Sequence, residues 1–281
     1  MAVDLLISDK RKRQCAKLID LSKGVVREAL DKFGAENLGV TWTGGKDSGL
    51  TLWIIKLVCD ERGISIPKTM CIGEGDEFDE IEQFIEQYTK EWNVPLEVCR
   101  NEDVLKAANN TLGATVKVKD LNQRNQDELK RIEFNEPEFP FEAESYTGNH
   151  LMKTVVFNQW LERNNIKGVF QGLRWDEHPA RFEDPYFEHK EAAHLIPEHT
   201  RIKPILHFCE KDLWDTYAAF DIPHCDLYEQ GYRSLGAKTT SNISEAGVPA
   251  WEQDLENTEE RAGRRQDKEE AMDRLRQLGY M

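Results

Sequence analysis

Apolar residues first group at helical spacing: Leu18, Leu21, Val25, Ala29 and Leu30 form one stripe within residues 10–33 and predict an amphipathic helix. Val40 to Trp42 then alternate and carry β-forming side chains, so a strand is expected over 38–43. Leu50 to Val58 are apolar on nearly every side, the pattern of a helix packed on a sheet, and this helix is expected to run to about Arg62. Pro67 precedes a second expected strand at 68–73. From Asp76 to Trp92 the residues Phe78, Ile81, Ile85, Tyr88 and Trp92 share one helical face, and Val94 to Cys99 read as a third strand. Strands and helices alternating at this spacing predict a three-layer α/β fold with a doubly wound parallel sheet. Such sheets bind ligands at the carboxyl ends of their strands.

The middle of the chain breaks this rhythm. Residues 120–147 are charged and interrupted by Pro137 and Pro140, so they read as an exposed insertion or lid, with "EFNEPEFPFEAE" a solvated loop. The sheet pattern resumes with a helix at 150–164, a strand at 167–171, a strand at 201–206 and a helix from about 211 to 219. One α/β domain is expected over 1–236. A polar, then strongly charged tail follows over 237–281, helical from about 254 to 278; it suits partner docking or a solvated cap.

The stretch "VTWTGGKDSGL" (40–50) puts two glycines in the turn from the first strand to its helix. Glycine there admits positive φ and close approach of a ligand. Helix-start N–H groups and the helix dipole favour an anion, and the obvious anion is a phosphate. Gly44 and Gly49 match the start of a P-loop, but Leu50 and Thr51 stand where Lys-Ser or Lys-Thr is required. A dinucleotide fingerprint fails too, because Gly44 and Gly45 are adjacent. A second cluster, "GLRWDEHPAR" (172–181), follows the "KGVFQ" strand on the same edge of the sheet. Arg174 and Arg181 can clamp an oxyanion through bidentate hydrogen bonds. Asp176 and Glu177 can orient those guanidiniums or hold magnesium through water.

Charge and cysteine content narrow the function further. A formal charge of −15 argues against sequence-independent nucleic-acid binding, which requires a basic surface. "MAVDLLIS" lacks the charge and length of a signal peptide, and Lys56 interrupts the best apolar run; a cytoplasmic protein with no membrane partner is expected. Cys15, Cys59, Cys71, Cys99, Cys209 and Cys225 show no C-x-x-C spacing, so no dedicated protein metal site is expected.

"TGGKDS", Thr43 to Ser48, resembles the S-G-G-x-D-S pyrophosphate loop of the adenine nucleotide α-hydrolase-like superfamily. Taken with "GLRWDEHPAR", it resembles the phosphoadenylyl-sulfate (PAPS) reductase family. Within that family the likeness is to small, nucleotide-binding subunits of heterodimeric sulfate adenylyltransferases. "HLMKT" (150–154) is similar to their H-x-x-M-K-T helix start, and "TEERAGRRQDKEEAMDRLRQLGYM" is similar to their S-E-R-x-G-R…G-Y-F ending. "LYEQGYRSLG" (227–236) is shared with the reductases as well.

The resemblance implies ATP as substrate, with Mg2+ bridging its phosphates. It places Thr43, Gly44, Gly45, Lys46, Asp47, Ser48, Gly172, Asp176, Glu177, Arg233 and Gly236 at the nucleotide and Lys46, Arg174 and Arg181 in catalysis. His150 and Lys153 become substrate or phosphate contacts, and Glu74 or Asp76 takes the adenosine side. Two departures bear on the substrate: Ala237-Lys-Thr-Thr240 replaces a cysteine and tryptophan segment, and "IGEGDEF" replaces an aspartate-threonine pair.

A reductase of this family attacks sulfur with a thiolate, usually from a C-terminal tail, and this chain has no cysteine after Cys225. Adenylyl transfer needs none. The expected reaction is therefore ATP plus sulfate giving adenylyl sulfate and pyrophosphate, with a GTPase-type large subunit as the implied partner. FMN adenylyltransferase (FAD synthetase) is the related alternative, and a nucleotide-binding subunit that does not itself turn over is the non-enzyme one.

Overall fold

The computed structural model describes residues 3–142, 145–258 and 260. Helix α1 (Asp9–Phe33) is capped by Ser8, whose hydroxyl accepts the Arg11 N–H at 3.2 Å. Strand β1 (Leu38–Thr41), helix α2 (Lys46–Arg62), strand β2 (Lys68–Ile72), helix α3 (Asp79–Glu91) and strand β3 (Leu96–Cys99) then alternate. Next come α4 (Glu102–Ala107), β4 (Thr115–Lys117), α5 (Gln123–Arg131), β5 (Glu138–Pro140) and α6 (Tyr146–Asn149). A π-helical turn at His150–Val155 continues into α7 (Val156–Asn164). Strands β6 (Gly168–Phe170), β7 (Phe187–Lys190) and β8 (His199–Ile202), with helix α8 (Glu210–Ala219), complete the order of longer elements.

The main sheet runs β3-β2-β1-β6-β8-β7. Every pairing is parallel except that of β7 with β8 at one edge. From β1 the chain winds outward through β2 and β3, then crosses back to β6 on the other side. Alternation along β1 explains why helices cover both faces. Leu38, Val40 and Trp42 join the core formed with α1, α2, α3 and α8, while Val169 and Met70 pack beneath Trp160 and Leu161 of α7. The point where the winding reverses lies between the carboxyl ends of β1 and β6, the place where open α/β sheets put their ligand sites.

The doubly wound α/β expectation holds, with local differences. Helix α2 begins at Lys46 rather than at Leu50, because its first turn faces the site and carries no apolar stripe. The strand expected over 201–206 is His199–Ile202, followed by a turn, and the antiparallel β7 was not foreseen. The expected solvated loop is partly a small core of its own: β4 pairs with β5, and Phe139 and Phe141 are buried with Leu129, Leu151 and Val155. Its described acidic residues, Glu133, Glu136, Glu138 and Glu142, are exposed and hide that alternation. The helix expected over 254–278 lies outside the described residues except at its start, where 254–258 form turns. Just before it, Ala250 and Trp251 are buried in the main core. Among the described residues no helix is long and apolar enough to cross a membrane.

Phe141 has 1% of its surface exposed. Phe141→Ala should therefore cost about 3–5 kcal/mol, read as a lower denaturation midpoint. An unchanged midpoint would mean that this stretch is a solvated loop after all.

Candidate functional site

Two loops meet at the winding reversal. In the first, Gly44 has φ +74°, where a β-carbon would also lie 3.0 Å from Ile81, so the turn requires glycine. Gly45 caps α2, and Thr43, Lys46, Asp47 and Ser48 surround the helix start. The Ser48 hydroxyl accepts the Thr43 N–H at 3.2 Å and lies 3.1 Å from the Thr43 hydroxyl, which closes the loop on itself. Tyr228 accepts the Lys46 N–H at 2.8 Å, while the Tyr217 hydroxyl donates to the Lys46 carbonyl at 2.6 Å.

The second loop, after β6, crosses directly over that helix start. A β-carbon on Gly172 would lie 2.6 Å from the Asp47 carbonyl and the Ser48 nitrogen. Gly172 thus permits the approach, and its place in the site is a packing requirement. The crossing delivers Arg174, whose side chain has no exposed surface, onto Asp47. Arg174 also donates to Asp176 at 2.8 Å and to Glu260 at 2.5 Å. Burial disfavours its charge, but Asp47 and Glu260 lead the carboxylates that hold its pKa well above the ordinary arginine value.

Lys46 is likewise buried. Its ammonium lies 2.5 Å from Glu260, 3.6 Å from Asp47 and 3.8 Å from Glu210, and donates to the Arg233 carbonyl at 2.9 Å. Burial opposes its charge too, and Asp47, Glu260 and Glu210 raise its pKa regardless. Arg233 forks onto Glu210 at 2.9 and 2.7 Å. Arg181 pairs with Glu177, and Asp176 accepts the Glu210 N–H at 2.7 Å, which ties the Arg174 loop to the start of α8. Lys46, Arg174, Arg181 and Arg233 are matched by Asp47, Asp176, Glu177 and Glu210. Glu260 is the carboxylate in excess.

Two cavities open from this centre and share Thr43, Gly45 and Leu235. One, of about 220 Å³, is polar and lies between the two loops, lined by Lys46, Ser48, Gln171, Glu177 and Glu260. The other, of about 510 Å³, lies beyond β1 and β2 and is walled by Phe78, Ile81 and Ile85, with Asp76 and Gly236 at its rim. Asp76 accepts the Thr239 N–H at 3.1 Å and the Thr239 hydroxyl at shorter range, which anchors the Ala237–Thr240 segment. Lys153 lines the larger cavity and pairs with Glu74 at 3.1 Å.

His150 is not in either cavity. It is buried in the insertion's core, with Nε2 3.0 Å from Glu128, and burial lowers its pKa in spite of that carboxylate. In place of the expected phosphate contact, the structure shows a buried hydrogen bond between His150 and Glu128. Arg233 is also engaged elsewhere. Besides Glu210 it donates to the Thr258 hydroxyl at 2.5 Å and the Thr258 carbonyl at 3.1 Å, so it grips the chain's C-terminal segment. Glu210, Tyr217, Tyr228 and Glu260 escaped the sequence reading. Tyr228 lay in a stretch already marked, "LYEQGYRSLG", and Glu260 in another, "TEERAGRRQDKEEAMDRLRQLGYM".

A strand–glycine-turn–helix phosphate loop, faced across the winding reversal by a buried arginine, defines a nucleotide-binding α/β protein of the pyrophosphate-loop superfamily. The chain belongs to the phosphoadenosine phosphosulfate reductase domain family, whose pattern its residues 37–242 match. A probable FAD synthase of Caenorhabditis elegans is 24% identical over 219 residues, 77% of this chain and 32% of that protein. Sulfate adenylyltransferase subunit 2 of Rhizobium sp. (strain N33) is 28% identical over 108 residues, 32% of this chain and 36% of that one. The matches thus span only about a third of the length of these two relatives. FMN adenylyltransferase of Candida glabrata, solved in complex with FAD and inorganic pyrophosphate, shares the fold with a TM-score of 0.63 at 17% identity, covering 93% of each chain.

The close crossing at Gly172 can be tested directly. A methyl group in Gly172→Ala meets backbone rather than a flexible side-chain end, so the loops must part. The expected cost is about 1–3 kcal/mol, with weaker binding of inorganic pyrophosphate in calorimetric titration. Unchanged stability and affinity would show that the crossing has slack.

Proposed function

We propose that this chain is an adenylyltransferase that uses ATP and a small oxyanion acceptor. The observation that carries the reading is the convergence of the α2 start and the Arg174 loop on one polar cavity that opens into an apolar one. A triphosphate suits the first and an adenine ring the second. The acceptor oxygen would attack the α-phosphorus, the bond from that phosphorus to the β-phosphate bridging oxygen would break, and pyrophosphate would leave. Catalysis of this kind is positioning and charge neutralisation. Lys46 and Arg174 supply the charge, and Asp176 and Asp47 fix the direction of the guanidinium.

Magnesium fits this donor set as an ion brought with the phosphates. Oxygens of Asp47, Glu177 and Glu260 lie within 4.8 Å of one another, but Arg174, Lys46 and Arg181 already neutralise them. Asp47 and Glu177 would hold it, and it would supply further neutralisation of phosphate charge.

A thiol mechanism finds little support. Cys225 has 1% of its surface exposed, and burial pushes its thiol up to about 11. Cys71, which lines the larger cavity, is pushed up to about 12 by burial. Sulfate is the acceptor that the sequence motifs favour, and it brings with it a GTPase-type large subunit. FMN is favoured by the longer match to the FAD synthase, and both acceptors end in the same oxyanion chemistry.

Exchange of labelled pyrophosphate into ATP, run with sulfate, with FMN and with neither, tests the reading. Exchange that depends on one acceptor is expected; ATP binding without any exchange would leave a binding subunit instead. Arg174→Lys keeps the charge but loses the fork, and should slow exchange about a hundredfold. Cys225→Ser should exchange at the wild-type rate, and thiol-dependent sulfite release abolished by that substitution would overturn the choice of reaction.

A further inference from the structure

Glu260 stands where a substrate anion would have to sit. One carboxylate oxygen is 2.5 Å from the Lys46 ammonium and the other 2.5 Å from the Arg174 guanidinium, in the wall of the polar cavity. Those are the two cations that the proposed reaction needs for phosphate. We infer that the C-terminal strap, residues 254–258 with Glu260, is a latch that closes this site, so that anion binding and strap release are one equilibrium. The inference rests on the adenylyltransferase reading only in that the cavity accepts a phosphate anion.

Three observations support a latch over a permanent wall. First, Glu260 is the surplus carboxylate of a cluster that is otherwise matched. Burial raises the carboxyls of Asp47 and Glu210, and the Glu260 charge raises them further against the pull of Arg174 and Lys46. Lys46 and Arg174 outweigh both burial and those carboxylates and hold the Glu260 carboxyl well below its ordinary value, so the position favours an anion. Second, the described stretch 254–258 forms turns rather than a regular element. Besides Glu260 itself, the strap is held by Arg233, which donates to the Asp254 and Leu255 carbonyls at 3.4 Å each and to Thr258, by the Lys211–Glu256 pair at 3.1 Å, and by Leu255 packed on the main core. Third, that grip is reversible in kind. Arg233 also forks onto Glu210, so loss of the strap would leave that guanidinium paired, while the incoming anion would take the place of Glu260 at Lys46 and Arg174.

A phosphate anion entering between Lys46 and Arg174 would take over both charged hydrogen bonds, and the strap would lose its end anchor. A site populated mostly in the closed state binds its ligand more weakly in proportion to the open fraction.

The test titrates inorganic pyrophosphate into the full chain, wild type and Glu260→Gln, by calorimetry. Hydrogen exchange is followed in parallel over 254–258. The latch predicts about tenfold tighter binding in Glu260→Gln, within the range usual for coupled sites. It also predicts faster exchange of 254–258 when wild type binds pyrophosphate. Thr258→Ala, which removes one Arg233 contact without touching the cavity, should tighten binding in the same direction by less.

Measurable wild-type binding with equal or weaker affinity in both variants would overturn the latch and leave the phosphate site standing. So would unchanged exchange of 254–258 on binding. Folded wild type and variants that all fail to bind pyrophosphate would overturn the phosphate site, and the latch with it.

Discussion

The ion pair between Arg174 and Asp47 is the constraint around which this structure closes. A guanidinium without exposed surface is costly unless carboxylates meet it with good geometry. Meeting that demand fixes the loop after β6 against the start of α2, and only a residue as small as Gly172 lets the two backbones come that near. The requirement then propagates. Asp176 holds the Arg174 Nε and caps α8, Glu210 at the start of α8 holds Arg233, and Arg233 holds the strap. Segments far apart in sequence are thus ordered by a chain of charges that none could bury alone.

The sheet explains why this happens at one place. Winding outward from β1 in both directions leaves a gap between the carboxyl ends of β1 and β6 that no crossover helix covers. Polar side chains from both loops line that gap, while the helix α3 that covers β1 and β2 walls the adjoining cavity with Phe78, Ile81 and Ile85. The result is a polar chamber beside an apolar one, joined at Thr43, Gly45 and Leu235. That division matches a ligand that is itself charged at one end and flat at the other.

Much of this was legible in the sequence. The glycine turn was visible because two adjacent glycines between a β-rich run and an apolar helix have few other uses, and the second loop because its charges follow a strand on the same edge. Apolar periodicity placed most of the elements. It failed where the helix start faces a polar site: Lys46 to Gly49 carry no stripe, so α2 looked shorter than it is. It failed again where Phe139 and Phe141 alternate within an acidic run. His150 looked like a ligand because its motif was familiar, but its partner Glu128 lies 22 residues earlier in a segment that seemed to be loop. Glu210 carries no local signal at all, and Glu260 only its place in the quoted ending "TEERAGRRQDKEEAMDRLRQLGYM". Their roles depend on which distant cation needs a carboxylate, and that is decided by the closed fold.

A site rich in buried cations must also survive without its ligand. Lys46 and Arg174 lie side by side with Asp47, Asp176 and Glu210 as partners, and each still turns a donor toward the cavity, where an unmet charge is costly. Glu260 resolves that problem from within the chain, and in doing so sets what can enter. Any incoming anion is bound only by the surplus of its interactions over those of the carboxylate it displaces. A singly charged group of carboxylate size gains little from that exchange. A polyphosphate, with more charge and more acceptor oxygens to offer Lys46, Arg174 and the amides of the α2 start, gains the most. The strap thus converts a merely cationic pocket into one that responds to charge density, because it makes the empty state an already satisfied one.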